Sequence, residues 1–127
     1  MSLKVYVDTN IIMDYLLART DSQFITDALK CKFHIVVSEL VISELRFQNV
    51  HTQAHTLFAW LDTCKKITIV QISEKEIELG KTFLSLTHHN DALHAACAIT
   101  HKVDFLLTRN MKDFEKLPLK STHPSQI

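Results

Sequence analysis

Leu3, Val5 and Val7 alternate with Lys4 and Tyr6 until Asp8-Thr9-Asn10 breaks the pattern, which predicts a short strand closed by a polar turn. Ile11, Ile12, Tyr15 and Leu16 then recur at helical spacing. Asp21 is placed to cap a second helix carrying Phe24, Ile25, Ala28 and Leu29. Phe33 to Val37 is a β-branched run ending at Ser38, a residue suited to open the helix of Leu40, Val41, Glu44 and Leu45. A further amphipathic stretch runs from His51 to Cys64, followed by an apolar strand at Ile67–Val70. Ser73 and Glu76 have the S-x-x-E spacing of a capping box. Asn90-Asp91 opens an alanine-rich helix, and Phe105–Leu107 is a last apolar strand before Thr108-Arg109-Asn110 and a short basic helix. Thr122 to Ser125 reads as a final turn.

Short apolar strands alternating with helices predict a parallel sheet covered on both faces. The expected fold is three-layer α/β/α, with a short, mostly parallel central sheet in a single domain spanning residues 1–127. Small alanines on the helix after Asp91 would let it lie close to that sheet. Length and composition agree. At 127 residues, 46% hydrophobic and 22% charged, the chain can bury one core and lies far from disordered compositions. One Gly and two Pro are too few for the tight turns of a β-sandwich. The odd, scattered Cys31, Cys64 and Cys97 read as buried thiols of a reduced compartment. No apolar run reaches a membrane-spanning length and no leader-like segment precedes the first strand, so a cytoplasmic protein is expected.

In an open parallel sheet, ligands gather outside the carboxyl ends of the strands. The acids expected there are Asp8 at the end of the first strand, Glu44 in the second turn after the second strand, and Asp91 in the first turn of its helix. Asp113, or Asn110 three residues before it, follows the last strand. Two such charges ~5 Å apart cost about 3 kcal/mol at an effective dielectric near 20. A cluster of this kind persists when its members are neutralised or a cation sits among them. Hard oxygen donors that leave waters in place suit Mg²⁺ or Mn²⁺. The plainer reading of the same residues makes Asp8 and Asp91 helix-capping or first-turn acids and Glu44 a solvated helix charge.

Four segments in chain order carry a resemblance. Val5 to Leu16, Ser38 to Leu45 with its acid at Glu44, Asn90 to Ala98 with its acid at Asp91, and Leu106 to Phe114 resemble the successive motifs of PIN-domain nucleases, including the toxins of VapBC-type toxin–antitoxin pairs. The resemblance implies a metal-dependent endoribonuclease using Mg²⁺ or Mn²⁺, with Asp8, Glu44 and Asp91 as metal ligands. Thr9 or Asn10 would steady the first carboxylate or its water. It further implies water attack on a backbone phosphorus, a 5′-phosphate product, an antitoxin partner and a homodimer. The sequence departs from the pattern at Asn110, where many relatives carry an acid. The amide can orient Asp8 or a metal-bound water, and Asp113 is the available substitute carboxylate.

Lys+Arg and Asp+Glu both number 14, so the chain lacks the overall basic signature of a tight nucleic-acid binder. With four acids assigned to the mouth, however, the 14 basic residues face ten others. Lys102, Arg109, Lys112, Lys116 and Lys120 concentrate near the last motif, beside the expected mouth, and with Arg46 and Thr108 they are candidate RNA contacts, Arg109 being favoured. His51 and His55 have an i, i+4 spacing that can hold zinc, but no third ligand is evident. Loop residues His88 and His89 can touch substrate, and His94, one turn beyond Asp91, can line the mouth. Asp14 and Glu39 are neighbouring acids of lesser promise. Leu57, Phe58, Trp60 and Leu61 suit a core or a partner interface. Two other classes remain open: a catalytically weak PIN module that binds RNA or a protein, and a phosphatase with a strand-end Asp. Asn10 weakens the latter, since a haloacid dehalogenase-type site expects Asp there.

Overall fold

The computed structural model describes residues 3–17 and 32–126. The helix expected after Asp21, and Cys31, lie outside the described residues. β1 (Leu3–Val7) leads directly into α1 (Thr9–Leu16). β2 (Phe33–Ser38) is followed by α2 (Glu39–Phe47) and α3 (His51–Thr63), and β3 (Ile67–Val70) by α4 (Glu74–Lys81) and α5 (His89–Thr100). β4 (Phe105–Leu107), a 3₁₀ turn (Met111–Asp113), β5 (Ser121–Thr122) and a second 3₁₀ turn (Pro124–Gln126) complete the chain. All described strands pair in parallel, in the order β3-β2-β1-β4-β5. The sheet is therefore parallel throughout rather than mostly so.

β5 departs from the expected final turn. Its two residues are polar and carry no hydrophobic alternation, but backbone pairing puts Leu106 beside Ser121 and Leu107 beside Thr122. Tyr6 departs as well. In sequence it alternates with Val5 and Val7 as Lys4 does, yet it is fully buried between them. The sheet is covered on both sides, with α1, α2 and α3 packed together and α4 packed on α5. Every side chain of central β1 from Val5 onward is therefore enclosed. Ala92, Ala95, Ala96, Cys97 and Ala98 are all buried. Their small side chains let α5 lie against β2 and β4.

Local capping follows the sequence with one exception. The backbone N–H of Ser73 donates to Glu76 Oε1 at 3.2 Å, and the Ser73 hydroxyl donates to Oε2 at 2.9 Å, closing the expected box. Ser38 stands at the N-cap of α2 but makes no side-chain cap bond. Its hydroxyl is taken by the Tyr6 phenol at 2.7 Å instead. Cys97 is buried as expected, whereas Cys64 is exposed at the end of α3.

Chain direction fixes where a ligand can enter. From β1 the chain moves outward through β2 and β3, then crosses to β4 on the other side of β1. The connections thus diverge beside β1, opening a crevice at the carboxyl ends of β1 and β4. Asp8 follows β1 and Thr108 follows β4, so both stand at its mouth.

Candidate active site

Asp8 caps α1, with Oδ1 accepting from the Thr9 backbone N–H at 2.7 Å. Oδ2 accepts from the Thr108 hydroxyl at 2.9 Å, across the two strand ends. Thr108 in turn accepts from the backbone N–H of Asn110 at 3.0 Å. Asn110 thus supports Asp8 through its main chain and Thr108, a different route from the side-chain amide expected from sequence. Burial pushes the Asp8 carboxyl above its ordinary pKa, against the lowering influence of His94, Thr108 and Thr9.

Asp91, in the first turn of α5, is pushed up to about 6, chiefly by burial and then by the negative charges of Asp8 and Asp113. The tight 3₁₀ turn after Asn110 brings the charge of Asp113 within influence of Asp91. Burial also works against Glu44, but His94, Thr9 and Asn90 outweigh it and hold this carboxyl below the usual range. Glu44 Oε1 accepts from the Thr9 hydroxyl at 2.7 Å and lies 2.7 Å from His94 Nε2. Oε2 accepts from Asn90 at a longer 3.4 Å. His94 Nε2 is also 4.0 Å from Asp8 Oδ1, so one ring touches Glu44 and faces Asp8.

The mouth thus gathers Asp8, Glu44, Asp91 and Asp113 around Thr9, His94 and Thr108. Among the described residues, no group of three or more His, Cys, Asp or Glu side chains is arranged to hold a metal ion. The donor set nonetheless fits Mg²⁺ or Mn²⁺. Such ions are held by one or two carboxylates with waters retained, and Asp8 and Asp91 both resist ionisation in the absence of positive charge. Glu44 is engaged by Thr9 and His94 and stands beside this pair.

Other candidates fall elsewhere or have other work. Asn10 is exposed in the first turn of α1. The Arg109 guanidinium donates to Asp14, so the favoured RNA contact and a lesser acid form an ion pair. Arg109 still lines a hollow of about 630 Å³ with Asn110, Met111, Lys112, Asp113, His123 and Gln126. His123 was not singled out from sequence; it joins this wall because β5 ends immediately before it. Arg46 lines a separate hollow with Leu40, Ser43 and Ile72, because two residues along a helix turn it away from Glu44. Lys102 and Lys120 precede β4 and β5, which puts them at the amino-terminal edge of the sheet, away from the mouth. The Glu39 carboxylate accepts from the Ile72 backbone at 2.7 Å and ties α2 to the segment after β3. His51 and His55 are exposed along an apolar hollow beside Phe58 and Ile69. His88 and His89 are exposed at the start of α5.

The missed components are Tyr6 and Ser38. Tyr6 OH lies 2.7 Å from both Ser38 Oγ and His94 Nδ1. The available signal was a tyrosine in a strand with apolar neighbours on both sides, which in a doubly covered sheet must be buried with its hydroxyl satisfied.

The comparisons agree with this architecture. A search of curated proteins finds no significant relative by sequence. Solved structures share the fold at low identity, among them the following three. The chain resembles one in the structure of VapBC2 from Rickettsia felis bound to a DNA fragment from their promoter, with a TM-score of 0.72, 20% identity, and 95% of this chain and 98% of that one covered. It resembles one in a toxin-antitoxin complex from Klebsiella pneumoniae at TM-score 0.71 and 23% identity, over 97% and 99% of the two chains. The third, in VapBC-1 from nontypeable Haemophilus influenzae, gives 0.71 at 17% identity over the same shares. The family model described as PIN domain matches residues 4–112, which takes in Asp8, Glu44, Asp91 and Asn110, and on that match the chain belongs to the PIN-domain family.

Proposed function

We propose that this PIN domain is a Mg²⁺- or Mn²⁺-dependent endoribonuclease and the toxin of a toxin–antitoxin pair, working in the cytoplasm. The observation that carries the reading is the gathering of carboxylates at the divergence of β1 and β4: Asp8 fixed by Thr9 and Thr108, Glu44 held by Thr9 and His94, and Asp91 raised by burial and by the charges of Asp8 and Asp113. A structural ion-pair network would supply cations to these carboxylates; here the adjoining groups are mostly other carboxylates and hydroxyls.

A bound divalent ion supplies Lewis-acid chemistry, acidifying a water and offsetting charge on a phosphodiester. Asp8 and Asp91 would hold that ion, and Asp113 reinforces the negative field in place of an acid at position 110. Thr9 and Thr108 fix Asp8 through one oxygen each, so its orientation is set before any ligand enters. Glu44 stands as an acceptor for a proton or a water at the edge of this pair. The hollow walled by Arg109, Lys112 and His123 gives the RNA backbone a route past the carboxylates. No side-chain nucleophile is needed, and the product would carry a 5′-phosphate.

The antitoxin reading rests on the fold neighbours solved as toxin–antitoxin complexes. Among the described residues no helix is long and apolar enough to cross a membrane. Trp60 is half-exposed on α3 while Leu57, Phe58 and Leu61 are buried. A homodimer covering this Trp60 face belongs to the same reading, and light scattering at micromolar concentration tests it.

Asp8→Asn and Asp91→Asn should each lower Mg²⁺-dependent cleavage of single-stranded RNA by at least ~100-fold, since losing a supporting group alone costs 10–100-fold. Both variants should melt cooperatively. Cleavage at the wild-type rate in either would remove the nuclease reading.

A further inference from the structure

The buried polar groups behind Glu44 form one continuous line. Ser38 Oγ, Tyr6 OH, the His94 ring and Glu44 Oε1 follow one another at 2.7 Å spacings. Ser38, Tyr6 and His94 are almost fully enclosed, whereas Glu44 reaches the mouth. A carboxylate only accepts, so the hydrogen between His94 and Glu44 lies on Nε2. The other ring nitrogen faces the Tyr6 phenol, so the ring can neither flip nor turn without breaking a buried bond. The two oxygens of Glu44 are left unequal. Oε1 receives both Thr9 and His94 at 2.7 Å, whereas among the described residues Oε2 has only Asn90 at 3.4 Å.

We propose that His94, braced by Tyr6, is a positioning residue that pins Oε1 of Glu44 and thereby presents Oε2 to the cleft as the oxygen open to a cation or its water. The inference rests on the nuclease reading of this site. It also gives His94 a definite role: its Nε2 is a committed donor and does not serve as the base in cleavage.

A histidine retained only to fill space behaves differently under substitution. Gln carries its amide nitrogen near the position of imidazole Nε2, whereas the Asn nitrogen falls near that of Nδ1, on the Tyr6 side. His94→Phe keeps the ring volume and removes both nitrogens. The test combines Mn²⁺ affinity, measured by calorimetry, with kcat and KM on single-stranded RNA. Metal-free protein labelled with ¹⁵N-histidine adds a third readout. In the wild type, the His94 Nε2–H proton should exchange slowly, and Tyr6→Phe should remove that protection. His94→Phe should weaken Mn²⁺ binding and lower kcat by about 10–100-fold with KM nearly unchanged. His94→Gln should recover most of both losses, and His94→Asn should not. Should His94→Phe fail to fold, the Gln and Asn variants decide, and equal values in those two overturn the proposal. Wild-type behaviour in His94→Phe overturns it alone. A wild-type protein that neither binds Mn²⁺ nor cleaves RNA removes the nuclease reading as well.

Discussion

Asp91 concentrates the residue-scale chemistry. Its folded value of about 6 lies above the ~3.9 of a free aspartate, so the folded chain holds this proton more tightly than the unfolded one. Its contribution to stability is fully present below about pH 4, is lost as pH rises through about 6, and is flat beyond. A displacement of that size is worth about 3 kcal/mol, and water at the half-buried carboxylate cuts this to a fraction. Between pH 5 and pH 7 the metal-free wild type should therefore lose stability relative to Asp91→Asn, and thermal melts of the two at both pH values check this. A divalent ion must displace the same proton, so Mn²⁺ affinity should fall up to tenfold per pH unit below about 6 and level off above it. Calorimetry at pH 5 to 8 checks this, and a flat profile would take Asp91 out of the ion site. The sequence placed Asp8, Glu44 and Asp91 at strand and helix ends because chain position alone determines that much. Their partners were not legible. Tyr6 meets Ser38 and His94 across 32 and 88 residues, a contact no local pattern encodes.

Elements were legible where local physics decides them. The apolar runs of β1 to β4 and the S-x-x-E spacing of α4 each act over a few residues. Glu76 is buried and satisfies both the backbone N–H and the hydroxyl of Ser73. Ser73→Ala should cost about 1 kcal/mol, as for other N-cap losses. Glu76→Ala leaves Ser73 without either acceptor and should cost about 1–3 kcal/mol. Near the midpoint each kcal/mol is worth about 4 °C, so thermal melts separate the two variants. Because α4 packs on α5, which carries Asp91 and His94, cleavage by the folded fraction should be unchanged if the box serves stability alone. β5 shows the converse. Two polar residues become a strand because β4 presents an unpaired edge to them, and their own side chains carry no such instruction.

At the scale of the whole molecule, zero net charge conceals a local concentration of it. Asp8, Glu44, Asp91 and Asp113 collect at the carboxyl ends of the strands, where Lys112 and His123 adjoin them, while Lys102 and Lys120, with Asp104, stand at the opposite edge. In sequence these lysines form one group near the last motif; the direction of β4 and β5 divides them. Arg109 is held by Asp14, so the pair brings no net charge to the hollow. Lys112 is then the basic residue whose charge should count most for an RNA strand crossing this mouth. Each phosphate contact on single-stranded nucleic acid contributes about −0.7 to the slope of log affinity against log salt. Lys112→Ala should make that slope shallower by about this amount and raise KM severalfold while kcat holds. Lys120→Ala should leave both where they were. Titrating a catalytically silent Asp8→Asn background with single-stranded RNA at several salt concentrations measures the slopes. Equal losses for Lys112→Ala and Lys120→Ala would mean that RNA is attracted by the molecule's overall charge and not along a track beside the carboxylates.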